Sequence, residues 1–216
     1  MQIKRDEDLH FLFFGYIFKH MICNSFVNKF FHSIKRFWTF LKQDTWQSWL
    51  VSLVLAFIFI KFIFFPLLSW IFMTSLPLVV VESCSMYHSS GFNSWWDSNG
   101  VWYEEHGIDK EEFSKLKFKN GLNKGDIVLV SGRGEYKQGD VLIFNSQYKY
   151  PLIHRLIRVD PYDTKGDNNF AQLPGELGIE PEQFVGKALG RIPGIGWIKL
   201  IFFEGSRSAE QRGFCK

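Results

Sequence analysis

A chain of 216 residues and 25.4 kDa has room for one domain of ordinary size with an anchor, and not for two large domains and their linkers. Lys and Arg number 25 against 22 Asp and Glu, a formal net charge of +3, which is too mild to argue for a nucleic-acid partner on electrostatic grounds. Aromatic residues make up 18% of the sequence, with 24 Phe and 8 Trp, yet mean hydropathy is -0.06, so the aromatic excess is local and a polytopic membrane protein is not expected.

Residues 1–48 read as a cytoplasmic segment. Within it, Phe11 to Ile22 is apolar but contains Lys19 and His20 and is short for a span, so the reading favours membrane association there over a second pass. The run FVNKFFHSIKRFWTFL places Val27, Phe31, Ile34, Trp38 and Leu41 on one helical face and Lys29, His32, Lys35 and Arg36 on the other. That pattern fits a basic helix lying against anionic headgroups. From Trp49 to Met73 the sequence is apolar apart from Lys61. It is long enough to cross a hydrocarbon core of about 30 Å as one transmembrane helix, and it starts too far into the chain and runs too long for a cleaved signal peptide. Lys61 near the bilayer centre costs roughly 3 kcal/mol on insertion scales unless it snorkels, and Pro66 is placed to kink the helix. Lys29, Lys35, Arg36 and Lys42 precede the span, and no Lys or Arg follows it before Lys110. The positive-inside rule therefore puts the N-terminus in the cytoplasm and the rest, after a single pass of the cell membrane, on the far side.

Residues 74–203 change texture, to short Val-, Ile- and Leu-rich runs separated by Gly and Asp: LPLVVVES, GDIVLVSG, GDVLIFNS and PLIHRLIRVD. The fold expected is mainly β, a largely antiparallel β-sandwich or open barrel with a small helical and aromatic insertion. The insertion, residues 87–123, carries Trp95, Trp96, Trp102 and Tyr103 and a helix around Asp109 to Leu116 in which Glu111 and Lys115 pair at i,i+4. Its aromatics either rest on the membrane interface or close the sheet as a local hydrophobic patch. Trp197 to Phe203 is too short to span and reads as a strand or an interfacial patch, and residues 204–216 form a tail. Cys23, Cys84 and Cys215 form no CxxC pair and leave one over, which argues against a disulfide scaffold and a zinc ribbon.

Hydrolysis by a serine hydroxyl needs a base to take its proton and donors to hold the oxyanion. Ser83 and Ser85 follow the strand LPLVVV, and His154 lies on the strand PLIHRLIRV with Leu152 and Leu156 on the same face. Apolar neighbours favour a neutral imidazole, the form a general base requires. Asp167, in the turn TKGDNN, is placed to fix the imidazole tautomer or to cap its own turn. His88 and, more weakly, His106 are rival bases, and Cys84 a rival nucleophile that strand alternation points away from both serines.

Taken together, Ser83-Cys84-Ser85-Met86 after its strand, Gly139 to Phe144, Ile153-His154-Arg155, Thr164 to Asn169, and Gly186 to Trp197 resemble type I signal peptidases. The likeness is to the archaeal and endoplasmic-reticulum branch, because the base position carries His154 where the common bacterial branch carries lysine. The resemblance implies Ser85 as nucleophile, His154 as general base, and an oxyanion hole from the Ser85 backbone N–H and the Ser83 hydroxyl. It also implies cleavage after small residues, signal-peptide-bearing preproteins as substrates, the lipid bilayer and the secretion translocon as surroundings, and no metal or organic cofactor. Asp167 is the acid carried over by the resemblance, with Asp163 and Glu176 left open beside it. The competing class is a non-enzymatic, membrane-tethered β domain that binds a partner through Trp95, Trp96 and Trp102.

Overall fold

The computed structural model describes residues 28–215, so the apolar stretch Phe11 to Ile22 and Val27 lie outside the described residues. The chain divides into two compact units at Phe64/Phe65. In the first, α1 covers 28–41, with Phe31, Ile34 and Trp38 exposed. Thr45 then caps α2 (Trp46–Phe59) by accepting a hydrogen bond from the Ser48 amide. A π-helical turn, Ile60–Phe64, follows, just ahead of Pro66, whose missing N–H interrupts the regular ladder. Lys61 sits in that turn with its amine over the Phe57 and Phe62 rings. The helical run Trp46–Phe72, which ends in α3 (Phe65–Phe72), has a mean hydropathy of 2.6 in its most apolar window and buries none of that window. By length and composition it is able to cross a membrane.

The second unit is built on six strands: β1 (Leu78–Val80), β2 (Ile127–Ser131), β3 (Val141–Phe144), β4 (Leu152–Val159), β5 (Tyr162–Lys165) and β6 (Phe184–Ile192). They form one sheet in the order β1-β2-β6-β3-β4-β5, with every neighbouring pair antiparallel. The antiparallel β expectation holds, but in the form of a single open sheet and not two packed sheets. Bulges in the β2–β6, β3–β6 and β4–β5 pairings interrupt its register. At one of them, Gly186 lies so close to β2 that a Cβ would stand 2.5 Å from the Ser131 carbonyl oxygen, so only glycine fits.

β3 is buried at all four positions, with Val141 and Ile143 in one core and Leu142 and Phe144 in another. Period-2 alternation with both faces covered explains why the strand reads as an unbroken apolar run. The first core also takes Met86, Leu122, Val128 and Val130. A third core is aromatic. It is formed by α4 (Gly91–Glu105) and α5 (Lys110–Lys115), which bring Trp95, Trp96, Tyr103, Ile108 and Phe113 against Ile157 of β4. Trp95 is 2% and Trp96 5% exposed, so of the two readings of the insertion the patch that closes on the sheet is the one found. Neither ring is available to a membrane or a partner. Asp109 caps α5 and Lys115 pairs with Glu111 at 2.7 Å.

Trp197–Glu204 is helical (α6), which corrects the strand expectation. Pro193 and Gly194 follow β6 and end it, and Ile198, Ile201 and Phe202 recur at helical spacing on an exposed face while Leu200 is buried. The tail beyond α6 is ordered through Cys215, which is bonded to Cys84. One disulfide is therefore present where cysteine arithmetic argued against a scaffold of them.

Candidate active site

The segment after β1 carries Ser83 and Ser85 and is fixed by backbone bonds on several sides. Val81 exchanges hydrogen bonds with Asp126 and Gly125, the Tyr87 amide closes a turn onto the Cys84 carbonyl, and the Leu122 amide donates to the Met86 carbonyl. Met86 is 1% exposed and anchors the turn in the first core. From the other side, the Asn168 amide donates to the Ser85 carbonyl at 2.7 Å and its side-chain amide to the Cys84 carbonyl at 3.1 Å. A Cβ on Gly166 would meet the Ser85 carbonyl at 2.9 Å, so glycine there is what lets the two segments approach.

β4 delivers His154, which is 2% exposed, opposite Leu142 of β3. Its Nε2 lies 3.0 Å from the Ser85 hydroxyl, and the Ser83 hydroxyl lies 3.1 Å from that of Ser85. Its Nδ1 faces Oε1 of Glu176. Glu176 ends a short 3-10 turn, Pro174–Glu176, and is fully buried. The same Oε1 accepts the Gly166 amide at 2.9 Å, and Oε2 accepts the Leu173 amide. The two ring nitrogens thus face different partners, Nδ1 the Glu176 carboxyl and Nε2 the Ser85 hydroxyl, and a proton on Nδ1 leaves the Nε2 lone pair toward Ser85.

Asp167 is elsewhere in this arrangement. Arg155 grips it through Nε at 2.9 Å and Nη2 at 2.7 Å, His88 Nε2 donates to it at 3.0 Å, and the Tyr103 hydroxyl donates at 2.9 Å. Burial alone would raise the Asp167 pKa, but the Arg155 charge and the bonds from His88 and Arg155 outweigh it and hold the carboxyl well below its usual range. Arg155 is fully buried, with its remaining donors on the carbonyls of Lys117, Gly139 and Phe118 and its guanidinium over Phe113. This cluster ties β4, the TKGDNN turn and the insertion together. Asp167 is not beside His154, because the four donors around it occupy it fully; of the three acids left open, the one whose oxygen lies against His154 Nδ1 is Glu176. Asp163, the other open acid, pairs with Arg158 and accepts the Gly178 amide.

The rival bases and nucleophile are also occupied. His88 stacks on Trp95 at 3.8 Å and bonds Asp167, His106 stacks on Trp102 and bonds its carbonyl, and Cys84 is in the disulfide. Lys165 is buried beside the site, its amine on the Gly166 carbonyl and over the Trp102 and Tyr103 rings. Burial pushes that amine down, against Asp167 and Glu176, which favour its charged form. Among the described residues no group of three His, Cys, Asp or Glu is disposed to hold a metal ion.

The chain is 32% identical over 98 residues to the signal peptidase complex catalytic subunit sec11 of Sclerotinia sclerotiorum, covering 38% of this chain and 57% of that protein. The likeness is to signal peptidase catalytic subunits. The Dictyostelium discoideum sec11 subunit is 25% identical over 95 residues, covering 38% and 53%, and human SEC11C is 27% identical over 95 residues, covering 37% and 50%. The chain thus spans about half the length of the curated relatives it matches. No family model matches the chain.

Proposed function

We propose that this chain is a membrane-anchored serine endopeptidase that removes signal peptides from secretory preproteins after small residues. The observation that carries the reading is the line from the Ser85 hydroxyl through His154 to the buried Glu176. In the first step His154 Nε2 takes the hydroxyl proton as Ser85 Oγ attacks the scissile carbonyl, and Glu176 balances the imidazolium charge. The Ser85 backbone N–H and the Ser83 hydroxyl receive the developing oxyanion. The imidazolium then protonates the leaving amine, and water activated by the same nitrogen hydrolyses the acyl-enzyme.

β1 pairs only with β2 and is an edge strand, so an extended substrate can add beside it with alternate side chains turned toward the Ser83–Ser85 segment. The apolar run Trp46–Phe72 serves as the anchor, with the basic flank before it in the cytoplasm and the catalytic unit on the opposite side. A preprotein held by its own hydrophobic segment in the same bilayer meets the enzyme at raised effective concentration. The test is cleavage of a preprotein by the full chain in lipid vesicles. Ser85→Ala and His154→Ala should each abolish processing, and near-wild-type cleavage by either would overturn the assignment.

A further inference from the structure

The tail after α6 is joined to the nucleophile segment at two residues, Glu82 and Cys84. Glu82 and Cys84 flank Ser83 at the bend that leads into the turn carrying Ser85. The tail holds both Glu82 and Cys84. Cys215 is disulfide-bonded to Cys84 across 131 residues of sequence. Arg207 donates to the Glu82 carboxylate at 2.7 Å and to its backbone carbonyl at 3.0 Å. The tail itself is pinned by Lys124, whose side chain is only 1% exposed and whose amine donates to Glu204 and to the carbonyls of Gln211 and Gly213.

We infer that residues 204–215 form a strap that positions the catalytic serine, and that the Cys84–Cys215 bond makes its activity thiol-sensitive. The inference rests on Ser85 being the nucleophile. Asn168 fixes the carbonyls of residues 84 and 85, and the strap fixes residues 82 and 84. With the strap intact, the two hydroxyls are set toward each other and His154 without any tail residue touching substrate. Cys84 and Cys215 are both half-buried and within reach of a small dithiol. Thiolate attack on one sulfur and closure of the mixed disulfide give two protein thiols and one cyclic disulfide, with two electrons and two protons supplied by the dithiol. The device places the active form of the enzyme in an oxidising compartment.

The test compares the oxidised full chain with the same protein after dithiothreitol, in vesicles, by preprotein cleavage and by hydrogen exchange of the amides at 82–86. Reduction should lower kcat about ten- to a hundredfold with KM little changed, as expected for a misplaced reacting group, and should speed exchange at 82–86 while β3 and β4 stay protected. Reoxidation should restore both. Cys215→Ser should behave as the reduced enzyme and ignore dithiothreitol. Unchanged kcat and unchanged exchange on reduction would overturn the strap. Should the oxidised protein cleave no preprotein, the functional reading fails instead, and hydrogen exchange alone decides the strap: faster exchange on reduction upholds it and unchanged exchange refutes it.

Discussion

Replacing Glu176 by Gln changes one oxygen for an amide and leaves volume nearly constant. The carboxylate receives two backbone donors, the Gly166 amide on one oxygen and the Leu173 amide on the other, and His154 Nδ1 lies against the first of these oxygens. A glutamine accepts through a single oxygen, so either orientation turns its NH2 toward a backbone N–H, orphaning a buried donor at about 1–3 kcal/mol. The larger effect is on chemistry. The imidazolium formed as Ser85 attacks would no longer face a negative charge, and two unit charges about 4 Å apart interact by about 4 kcal/mol at an effective dielectric of 20. That corresponds to a loss of about a thousandfold in kcat, with KM little changed. In the orientation that puts the NH2 on Nδ1, the tautomer also inverts and Nε2 can no longer take the serine proton. Steady-state kinetics on a preprotein, alongside thermal denaturation, separates the two effects. A Glu176→Gln enzyme within about threefold of wild type would refute this assignment of the acid. So would an Asp167→Asn enzyme of native stability showing the same kcat loss.

Asp167→Asn should act on folding first, because it leaves the buried Arg155 guanidinium without its counter-charge, at about 3–5 kcal/mol in chemical denaturation. The wild-type carboxyl titrates below its unfolded value in the folded chain. Its contribution is therefore complete above about pH 4 and is lost as pH falls through the folded value, so acid unfolding should be steep below pH 4 and shallower in Asp167→Asn. Trp95→Ala should cost about 3–5 kcal/mol of stability, since the ring fills a core, and should leave vesicle binding by the folded protein unaltered; lost binding at unchanged stability would contradict the packing. Ser83→Ala should lower kcat about a hundred- to a thousandfold if its hydroxyl holds the oxyanion, and full activity would remove it from that role.

Much of this was legible in sequence because the signals were local. The apolar run after Thr45, the Gly- and Asp-bounded strands, and the helix with Glu111 and Lys115 each follow from spacing within one element. Ser85 and His154 stood out because each sits where a strand or its end holds the chain. What stayed hidden was decided by pairings across the fold. Asp167 follows His154's strand and Glu176 comes later in the same loop, and nothing in their spacing says which one turns inward to the imidazole. Arg155 draws Asp167 away, and the Pro174–Glu176 turn swings the other acid in. The strand-like run Trp197 to Phe203 became a helix because its apolar residues serve an exposed face and not a sheet. Cys84 and Cys215 lie too far apart in sequence for their bond to leave a local trace.

The most direct measurement is to quench a preprotein reaction in acid and map the covalent intermediate by mass spectrometry. The account predicts the acyl group of the signal peptide on Ser85 in the wild-type chain and none in His154→Ala. An acyl group on any other residue, or processing by a chain with alanine at position 85, would contradict it.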